Sequence, residues 1–156
     1  YPQRCRRLVL AATAAGGLMV PGKLSVLSKM ASPRRYTDAD YMAEIGGELY
    51  GGALRHRPEL LREHAHHMRA PRGRGYYYQQ LAMLGWTSVF GLPLLRQPTL
   101  VIAGSDDPIV PLVNAKILAA LIPKAKLHVV DDGHLFLVSR TDEIAELVRG
   151  FLAAKA

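Results

Sequence analysis

The chain has little cysteine and no long apolar run. Its 156 residues include one cysteine, Cys5, so no disulfide can form within the chain. A lone cysteine fits a reducing compartment, and no histidine or acid stands near Cys5 in a pattern that would make it a nucleophile. No stretch reaches the ~20 apolar residues that a membrane-spanning helix needs, and no secretory signal is visible. The sequence therefore predicts no transmembrane segment.

Acidic residues are missing from the first 35 positions. Seven basic side chains lie there, and the remainder of the chain is close to neutral, which produces a net charge of +7. The seven are Arg4, Arg6, Arg7, Lys23, Lys29, Arg34 and Arg35. A basic patch can attract nucleic acid. We expect instead that acids elsewhere in the protein balance these charges, and we predict no nucleic-acid partner.

Short apolar runs predict parallel β-strands at three places. They cover 8–12, 99–103 and 126–130, and turn-forming residues follow each of them. Continuous rather than alternating hydrophobicity favours strands that are covered on both faces. Helical spacing of apolar residues follows the second and third runs. It involves Leu112, Val113, Ile117, Ala120 and Leu121, and then Ile144, Leu147, Val148 and Phe151. This order predicts an α/β core formed by residues 1–20 and 97–156.

Residues 21–96 differ from this core because they lack buried-strand runs. Helical patterns near 38–50, 58–68 and 76–84, separated by glycine and proline, predict a helical insertion between two strands of the sheet. Three consecutive tyrosines at 76–78, with Met83 and Trp86, allow three roles. They line a pocket for an acyl chain, they pack the insertion, or they form a surface for a water-insoluble substrate.

Polar loops follow the second and third predicted strands. GSDDPIVP covers residues 104–111, and DDGHLFL covers 131–137. Open α/β folds place their sites at the carboxyl ends of parallel strands, and neighbouring strands lie about 5 Å apart. We therefore expect Asp107 and His134 to meet there. In a Ser-His-Asp hydrolase the acid orients the imidazole and the histidine moves the serine proton, and acid before histidine is the chain order of α/β-hydrolases.

Other acids and histidines are weaker candidates for this site. Asp106 competes with Asp107, but the pattern of glycine, two residues, aspartate and a proline four residues later selects Asp107. Asp106 is then expected to hydrogen-bond the loop, and Asp131 and Asp132 to serve as turn or helper carboxylates. The H-A-H-H cluster at 64–67 lacks the i,i+4 spacing of a helical zinc site. We predict no metal and no other cofactor.

Four segments carry a family resemblance that extends from Tyr1 to about Leu152. They are YPQRCRRLVLAATAAGGLMVPGK, ASPRRY, GYYYQQLAMLGWTS and QPTLVIAGSDDPIVPLVNAKILAALIPKAKLHVVDDGHLFLVSR. In these segments the chain resembles the intracellular poly(3-hydroxyalkanoate) depolymerases, bacterial α/β-hydrolases that act on medium-chain-length polyester granules. The resemblance implies a cytoplasmic enzyme with a polyester or acyl-ester substrate and an association with the granule surface.

The resemblance also implies a mechanism. A serine attacks the polymer ester, His134 acts first as general base and then as general acid, and Asp107 holds His134 in its working tautomer. Water then hydrolyses the acyl-enzyme and releases 3-hydroxy fatty acids or oligomers. Residues 21–96 would form the cap over the site.

The chain departs from this family in lacking the nucleophile. It contains no G-x-S-x-G motif, and Ser105 lies in the acid loop without that context. Because Tyr1 is also not an initiator methionine, we expect the chain to be the C-terminal half of an α/β-hydrolase fold that starts inside a larger protein. The serine would then precede Leu8, and the 156 residues alone would be inactive.

Two other interpretations stay open at the level of sequence. The chain could belong to a different α/β-hydrolase, such as a carboxylesterase, a haloperoxidase-like enzyme or an acyltransferase. It could also belong to a non-catalytic binding protein that kept the fold.

Overall fold

A parallel sheet forms the centre of the structure. The computed structural model describes residues 2–67 and 73–154. In these ranges the strands are β1 (Leu8–Ala11), β2 (Thr99–Gly104) and β3 (Ala125–Val130), in the order β1-β2-β3. Both pairings are parallel, with Leu8 opposite Thr99 and Thr99 opposite Ala125. The predicted α/β fold with a parallel sheet is confirmed, and its strand limits differ from the predicted ones by one residue.

Burial of the strands is uneven. All six residues of β2 are buried, as continuous hydrophobicity predicts for a central strand. β1 is half-buried along its length, and in β3 Lys126 is exposed and Val129 keeps 43% of its surface exposed. The prediction that both faces are covered is therefore wrong for β3, because this strand lies at an edge of the described sheet.

Helices occupy the long connection between β1 and β2 and flank the rest of the sheet. In the connection lie α1 (Leu24–Met30), α2 (Ala39–Tyr50), α3 (Pro58–His67) and α4 (Gly75–Leu84), and later come α5 (Leu112–Leu121), α6 (Phe136–Ser139) and α7 (Thr141–Ala153). Single 3-10 turns cover Pro2–Arg4, Pro33–Tyr36, Gly52–Arg55 and Val89–Leu94. The helices predicted near 38–50 and 76–84 are confirmed within one residue. The one predicted to end at Met68 runs at least to His67, since Met68 lies outside the described residues.

None of the described helices combines the length and apolar character needed to cross a membrane.

Apolar side chains gather in three clusters. On one face of the sheet Val101 and Ala103 pack with α5, and on the other Leu100 and Ile102 pack with Ile144 of α7. This alternation follows from the pleat of β2. A third cluster lies within the connection and includes Val26, Met42, Ile45, Leu49, Tyr50, Leu54 and Leu61. The helices of the connection thus have a core of their own, and that core contains Tyr50, the last residue of α2.

Helix α5 buries a different face from the one predicted. The predicted inner face consists of Leu112, Val113, Ile117, Ala120 and Leu121. In the structure Asn114, Ala115 and Leu118 are buried, whereas Val113 is 41% exposed and Ala120 is exposed. The sequence LVNAKILAAL is apolar almost all round, so its periodicity does not select a face. The predicted face is therefore wrong at Val113 and Ala120.

The buried amide of Asn114 explains how a polar residue occupies this face. Its Oδ1 accepts a hydrogen bond from the backbone N–H of Val20 at 2.9 Å, and its Nδ2 donates to the carbonyl of Val20 at 2.8 Å. Both ends of the amide are satisfied, so its burial carries little penalty.

Substitutions in α5 test the corrected face. Leu118→Ala removes a side chain that is 2% exposed, and we expect a loss of about 2–5 kcal/mol in the free energy of unfolding. Val113→Ala, on the exposed side of the same helix, should change it by less than about 0.5 kcal/mol. Urea denaturation followed by circular dichroism measures both. Equal losses for the two variants would contradict the assigned face.

Candidate active site

Two loops run side by side at the carboxyl end of the sheet. One follows β2 at Gly104, the other follows β3 at Val130, and these two residues are opposite each other in the ladder. The N–H of Ser105 donates to the carbonyl of Val130 at 2.8 Å, and the N–H of Asp106 donates to the carbonyl of Asp132 at 3.0 Å. The parallel ladder thus continues into the loops and keeps them together where their polar side chains begin.

The carboxylate of Asp107 and the imidazole of His134 meet between these loops. Nδ1 of His134 lies 2.8 Å from Oδ2 of Asp107. The side chain of Asp107 is 1% exposed, and its Oδ1 accepts hydrogen bonds from the N–H groups of Ile109 at 2.9 Å and Val110 at 2.8 Å. These donors satisfy a buried carboxylate on the side away from the histidine. This acid and this histidine are the pair predicted from the sequence, and the structure brings them into hydrogen-bonding contact.

His134 is also held from the other side by the end of α2. Its backbone N–H donates to the carbonyl of Tyr50 at 2.7 Å, and its ring stacks on that of Tyr50 with 6.4 Å between centroids and 19° between planes. Burial raises the pKa of Tyr50 to about 12, although the charge of Arg35 acts to lower it. The tyrosine is therefore neutral. The imidazole keeps 21% of its side-chain surface exposed, so with Nδ1 engaged by Asp107 the ring can exchange a proton through Nε2.

Asp106 has a different partner from Asp107. Its Oδ2 accepts from the N–H of Gly52 at 2.8 Å and from Nε of Arg55 at 2.9 Å. Those hydrogen bonds hold the pKa of Asp106 below its ordinary value, Arg55 having the larger effect. Asp106 therefore joins the loop after β2 to residues 51–55, which we call the 51–55 turn. The sequence predicts a hydrogen bond between Asp106 and its own loop, whereas in the structure its partners belong to the 51–55 turn.

The two acids before His134 differ in burial. Asp131 is exposed and accepts a hydrogen bond from Oγ of Ser105 at 3.1 Å. Asp132 has a side chain that is 1% exposed, and its Oδ1 accepts from the N–H of Ala53 at 2.8 Å. The 51–55 turn therefore contacts both loops. The sequence signal for this turn is the Gly51-Gly52 pair, which lies between the helices predicted near 38–50 and 58–68.

The remaining candidates lie away from this pair. Nδ1 of His67 contacts the carbonyl of Glu63 at 2.8 Å, and burial lowers the pKa of His64 with a smaller effect from His67; the side chain of His66 is outside the described part. Among the described residues, no three His, Cys, Asp or Glu side chains come together to hold a metal ion. Tyr76 is buried, whereas four neighbouring apolar side chains are about half exposed: Tyr77, Tyr78, Met83 and Trp86.

Part of the basic excess is paired within the chain. Lys29 forms an ion pair with Glu48, and Arg34 forms one with Asp38 at 2.9 Å. Two of the seven early basic residues are thus balanced by acids, one by Glu48 within α2 and one by Asp38, the N-cap residue of α2.

Comparison with known proteins identifies the class to which this fold and site belong. The sequence model of the alpha/beta hydrolase fold matches residues 1–141, and the chain belongs to the α/β-hydrolase fold family. It is 53% identical over 97% of its length to a poly(3-hydroxyalkanoate) depolymerase of Ectopseudomonas oleovorans, of which it covers 54%. It is 32% identical over 98% of its length to a 2-hydroxymuconate semialdehyde hydrolase of Pseudomonas putida, of which it covers 56%.

A solved structure agrees with this assignment. A hydrolase from Pseudomonas aeruginosa PA01 superimposes with a TM-score of 0.74 and 28% identity over 98% of this chain and 57% of that one. The chain thus spans about half the length of the relatives that it matches.

Substitution of Gly52 tests the close contact between the 51–55 turn and the loop after β3. A Cβ at Gly52 would lie 2.0 Å from both Oδ1 of Asp132 and the N–H nitrogen of Gly133, and the backbone there has φ +55°. Gly73 has nearly the same φ, +57°, and no atom of the described residues lies within 4 Å of its Cβ position. We expect Gly73→Ala to cost the ordinary left-handed strain of about 1–2 kcal/mol. Gly52→Ala should cost at least about 2 kcal/mol more.

Denaturant unfolding of the two variants makes this comparison directly. Because both carry the same change at nearly the same φ, the difference between them reports mainly the clash. Equal unfolding free energies would show that the turn does not press against the loop.

Proposed function

We propose that this chain supplies the acid and the base of a Ser-His-Asp triad in an ester hydrolase that degrades poly(3-hydroxyalkanoate). The observation that carries the proposal is the 2.8 Å contact between Nδ1 of His134 and Oδ2 of the buried Asp107. It lies at the carboxyl end of a parallel sheet, where α/β folds bind their ligands. A carboxylate, an imidazole and an open Nε2 are the parts that such a triad takes from these two loops.

The proposed reaction begins with a serine hydroxyl. Oγ of the serine attacks the ester carbonyl carbon while Nε2 of His134 takes its proton, and the carbonyl π electrons move to oxygen. When the C–O bond to the leaving alcohol breaks, the proton on Nε2 passes to that alcohol and an acyl-enzyme remains. Water then attacks the acyl carbon with His134 again as base, and the acid product leaves with the serine restored. Asp107 stabilises the imidazolium in both halves.

The serine of this scheme is expected to lie outside these 156 residues. No G-x-S-x-G motif occurs in the 156 residues, and that motif places the nucleophile of α/β-hydrolases on a strand-to-helix turn. The chain spans about half the length of its relatives. The proposal therefore assigns the serine, and the N–H groups that stabilise the oxyanion, to another part of the whole protein.

Polyester is the proposed substrate because the relative with the higher sequence identity is a poly(3-hydroxyalkanoate) depolymerase. This chain is 53% identical to the poly(3-hydroxyalkanoate) depolymerase over the aligned residues, against 32% for the semialdehyde hydrolase. Half-exposed aromatic side chains on and after α4, among them Tyr77, Tyr78 and Trp86, offer a surface suited to a water-insoluble polymer. The products would be 3-hydroxy fatty acids or their oligomers, and the place of action the cytoplasmic surface of a storage granule.

We also propose that residues 21–96 act as a cap over this site. They contain α1 to α4 and an apolar cluster of their own. At one end of that cluster Tyr50 stacks on His134, and the adjoining 51–55 turn bonds to both loops. A segment fastened in this way is suited to cover the bound ester and exclude bulk water.

Replacement of the paired residues in the whole protein tests the proposed function. Asp107→Ala should lower kcat about 10⁴-fold and His134→Ala about 10⁶-fold, the sizes expected when a triad loses its acid and its base, while the protein remains folded. The assays are release of 3-hydroxy acids from medium-chain polyester and hydrolysis of short p-nitrophenyl esters. His67→Ala, which alters an exposed histidine of α3, is the matched control and should keep normal turnover.

Three outcomes would contradict parts of this proposal. Near-normal turnover by the His134→Ala protein would remove the histidine from the mechanism. Hydrolysis of small esters without release from polyester would favour another α/β-hydrolase activity. A wild-type protein that binds polyester but hydrolyses no ester would indicate a binding function.

A further inference from the structure

We infer that Asp132 is a positioning residue that determines where the imidazole of His134 stands. The inference rests on the proposed function, because the histidine is the proposed general base. Asp132 touches no proposed substrate atom and acts through the loop that carries His134.

Asp132 is the most heavily bonded carboxylate near the site. Its Oδ1 accepts from the N–H groups of Ala53 at 2.8 Å and Gly133 at 2.7 Å. Its Oδ2 accepts from Oγ of Ser139 at 2.6 Å and from Nε of Arg140 at 3.3 Å. The side chain is 1% exposed, so these four donors replace water completely. A carboxylate buried in this way is stable only while its donors stay in place.

The donors lie on both sides of His134 in the sequence and on the cap segment. Gly133 precedes the histidine, Ser139 and Arg140 follow it, and Ala53 belongs to the 51–55 turn. The histidine's own N–H donates to the carbonyl of Tyr50 at 2.7 Å. The loop that carries the imidazole is therefore attached twice to residues 50–53, once through its backbone and once through Asp132.

The loop that carries His134 is packed tightly against backbone atoms on both sides. A Cβ at Gly133 would lie 2.0 Å from the carbonyl oxygen of Tyr50, and one at Gly104 would lie 2.4 Å from the carbonyl oxygen of Gly133. Backbone thus presses on backbone on both sides of this loop. Because Asp132 is one of the two links between this loop and residues 50–53, a change in its hydrogen bonds alters the position of the loop and of the imidazole on it.

The negative charge of Asp132 matters as well as its shape. Burial opposes ionisation, but hydrogen bonds from Ser139, from the N–H groups of Ala53 and Gly133 and from Arg140 outweigh it and hold the pKa of Asp132 below its ordinary value. An asparagine in the same place has a single accepting oxygen, and its NH₂ group would face the donors of Ser139 or Arg140. Asp132→Asn therefore removes the charge and the hydrogen bond from Arg140 while hardly changing the volume. Its Oδ1 keeps the N–H groups of Ala53 and Gly133, so the disturbance falls on the part of the loop that follows His134.

The decisive variant is Asp132→Asn in the whole protein. We expect kcat for p-nitrophenyl ester hydrolysis to fall roughly 100-fold, the size expected when a catalytic group is displaced by about 1 Å, with KM unchanged within about twofold. The downfield proton resonance of the hydrogen bond between His134 and Asp107 should shift or broaden. A role in stability alone would lower the unfolding temperature and move neither quantity, and that result would overturn the inference.

Two further variants control this experiment. Glu143→Gln removes the other carboxylate on Arg140, whose Nη1 lies 3.2 Å from Oε2 of Glu143 on the surface, and should leave kcat and the resonance unchanged. Ser139→Ala removes one of the four donors and should lower kcat about fivefold, the effect of one ordinary hydrogen bond. If Asp132→Asn does not fold, a normal kcat in Ser139→Ala overturns the inference.

The failure of this inference is distinguishable from failure of the proposed function. If the wild-type protein hydrolyses no ester, the proposed function is wrong. The proton resonance in wild-type and Asp132→Asn proteins still decides whether Asp132 positions the imidazole.

Discussion

The hydrogen bond between Nδ1 of His134 and Oδ2 of Asp107 depends on a carboxylate, that of Asp107, which is buried inside the protein. A buried carboxylate is costly unless donors surround it, and here the N–H groups of Ile109 and Val110 supply them on one side and the imidazole on the other. Two of these donors come from the loop after β2 and one from the loop after β3. The pair therefore exists only while the two loops stay at a fixed separation, and the parallel ladder between Gly104 and Val130 provides that separation.

Distant parts of the chain converge to maintain this arrangement. The 51–55 turn lies far in sequence from both loops, yet it donates to Asp106 and Asp132 and presents Gly51 and Gly52 to them. Both glycines have positive φ and face backbone or carboxylate atoms at distances that a Cβ could not occupy. The long connection between β1 and β2 is thus joined to the rim of the sheet by backbone contact. In the proposed enzyme, this junction makes the geometry of the catalytic pair depend on the cap.

The sequence revealed the parts of the fold that depend on local patterns. Apolar runs bounded by turn residues marked the strands within one residue, and the polar loops after them marked Asp107 and His134, because parallel strands bring their carboxyl ends to one edge. The face of α5 was partly missed since nearly every position of that helix is apolar. Tyr50, the 51–55 turn and the four donors of Asp132 could not be found from the sequence. The links from Tyr50, Gly52, Ala53 and Gly133 use backbone N–H and C=O groups, which no sequence pattern distinguishes. The side chains of Arg55, Ser139 and Arg140 find their partners only through the folded positions of the loops.

A structure of the whole protein inactivated by a serine-directed phosphonate would test the central claim most directly. The account predicts one covalently labelled serine outside the 156 residues. Its Oγ should lie within hydrogen-bonding distance of Nε2 of His134, with Nδ1 still bonded to Oδ2 of Asp107. A labelled serine whose Oγ faces a different base, or a His134 ring that has turned away from Asp107, would contradict the account.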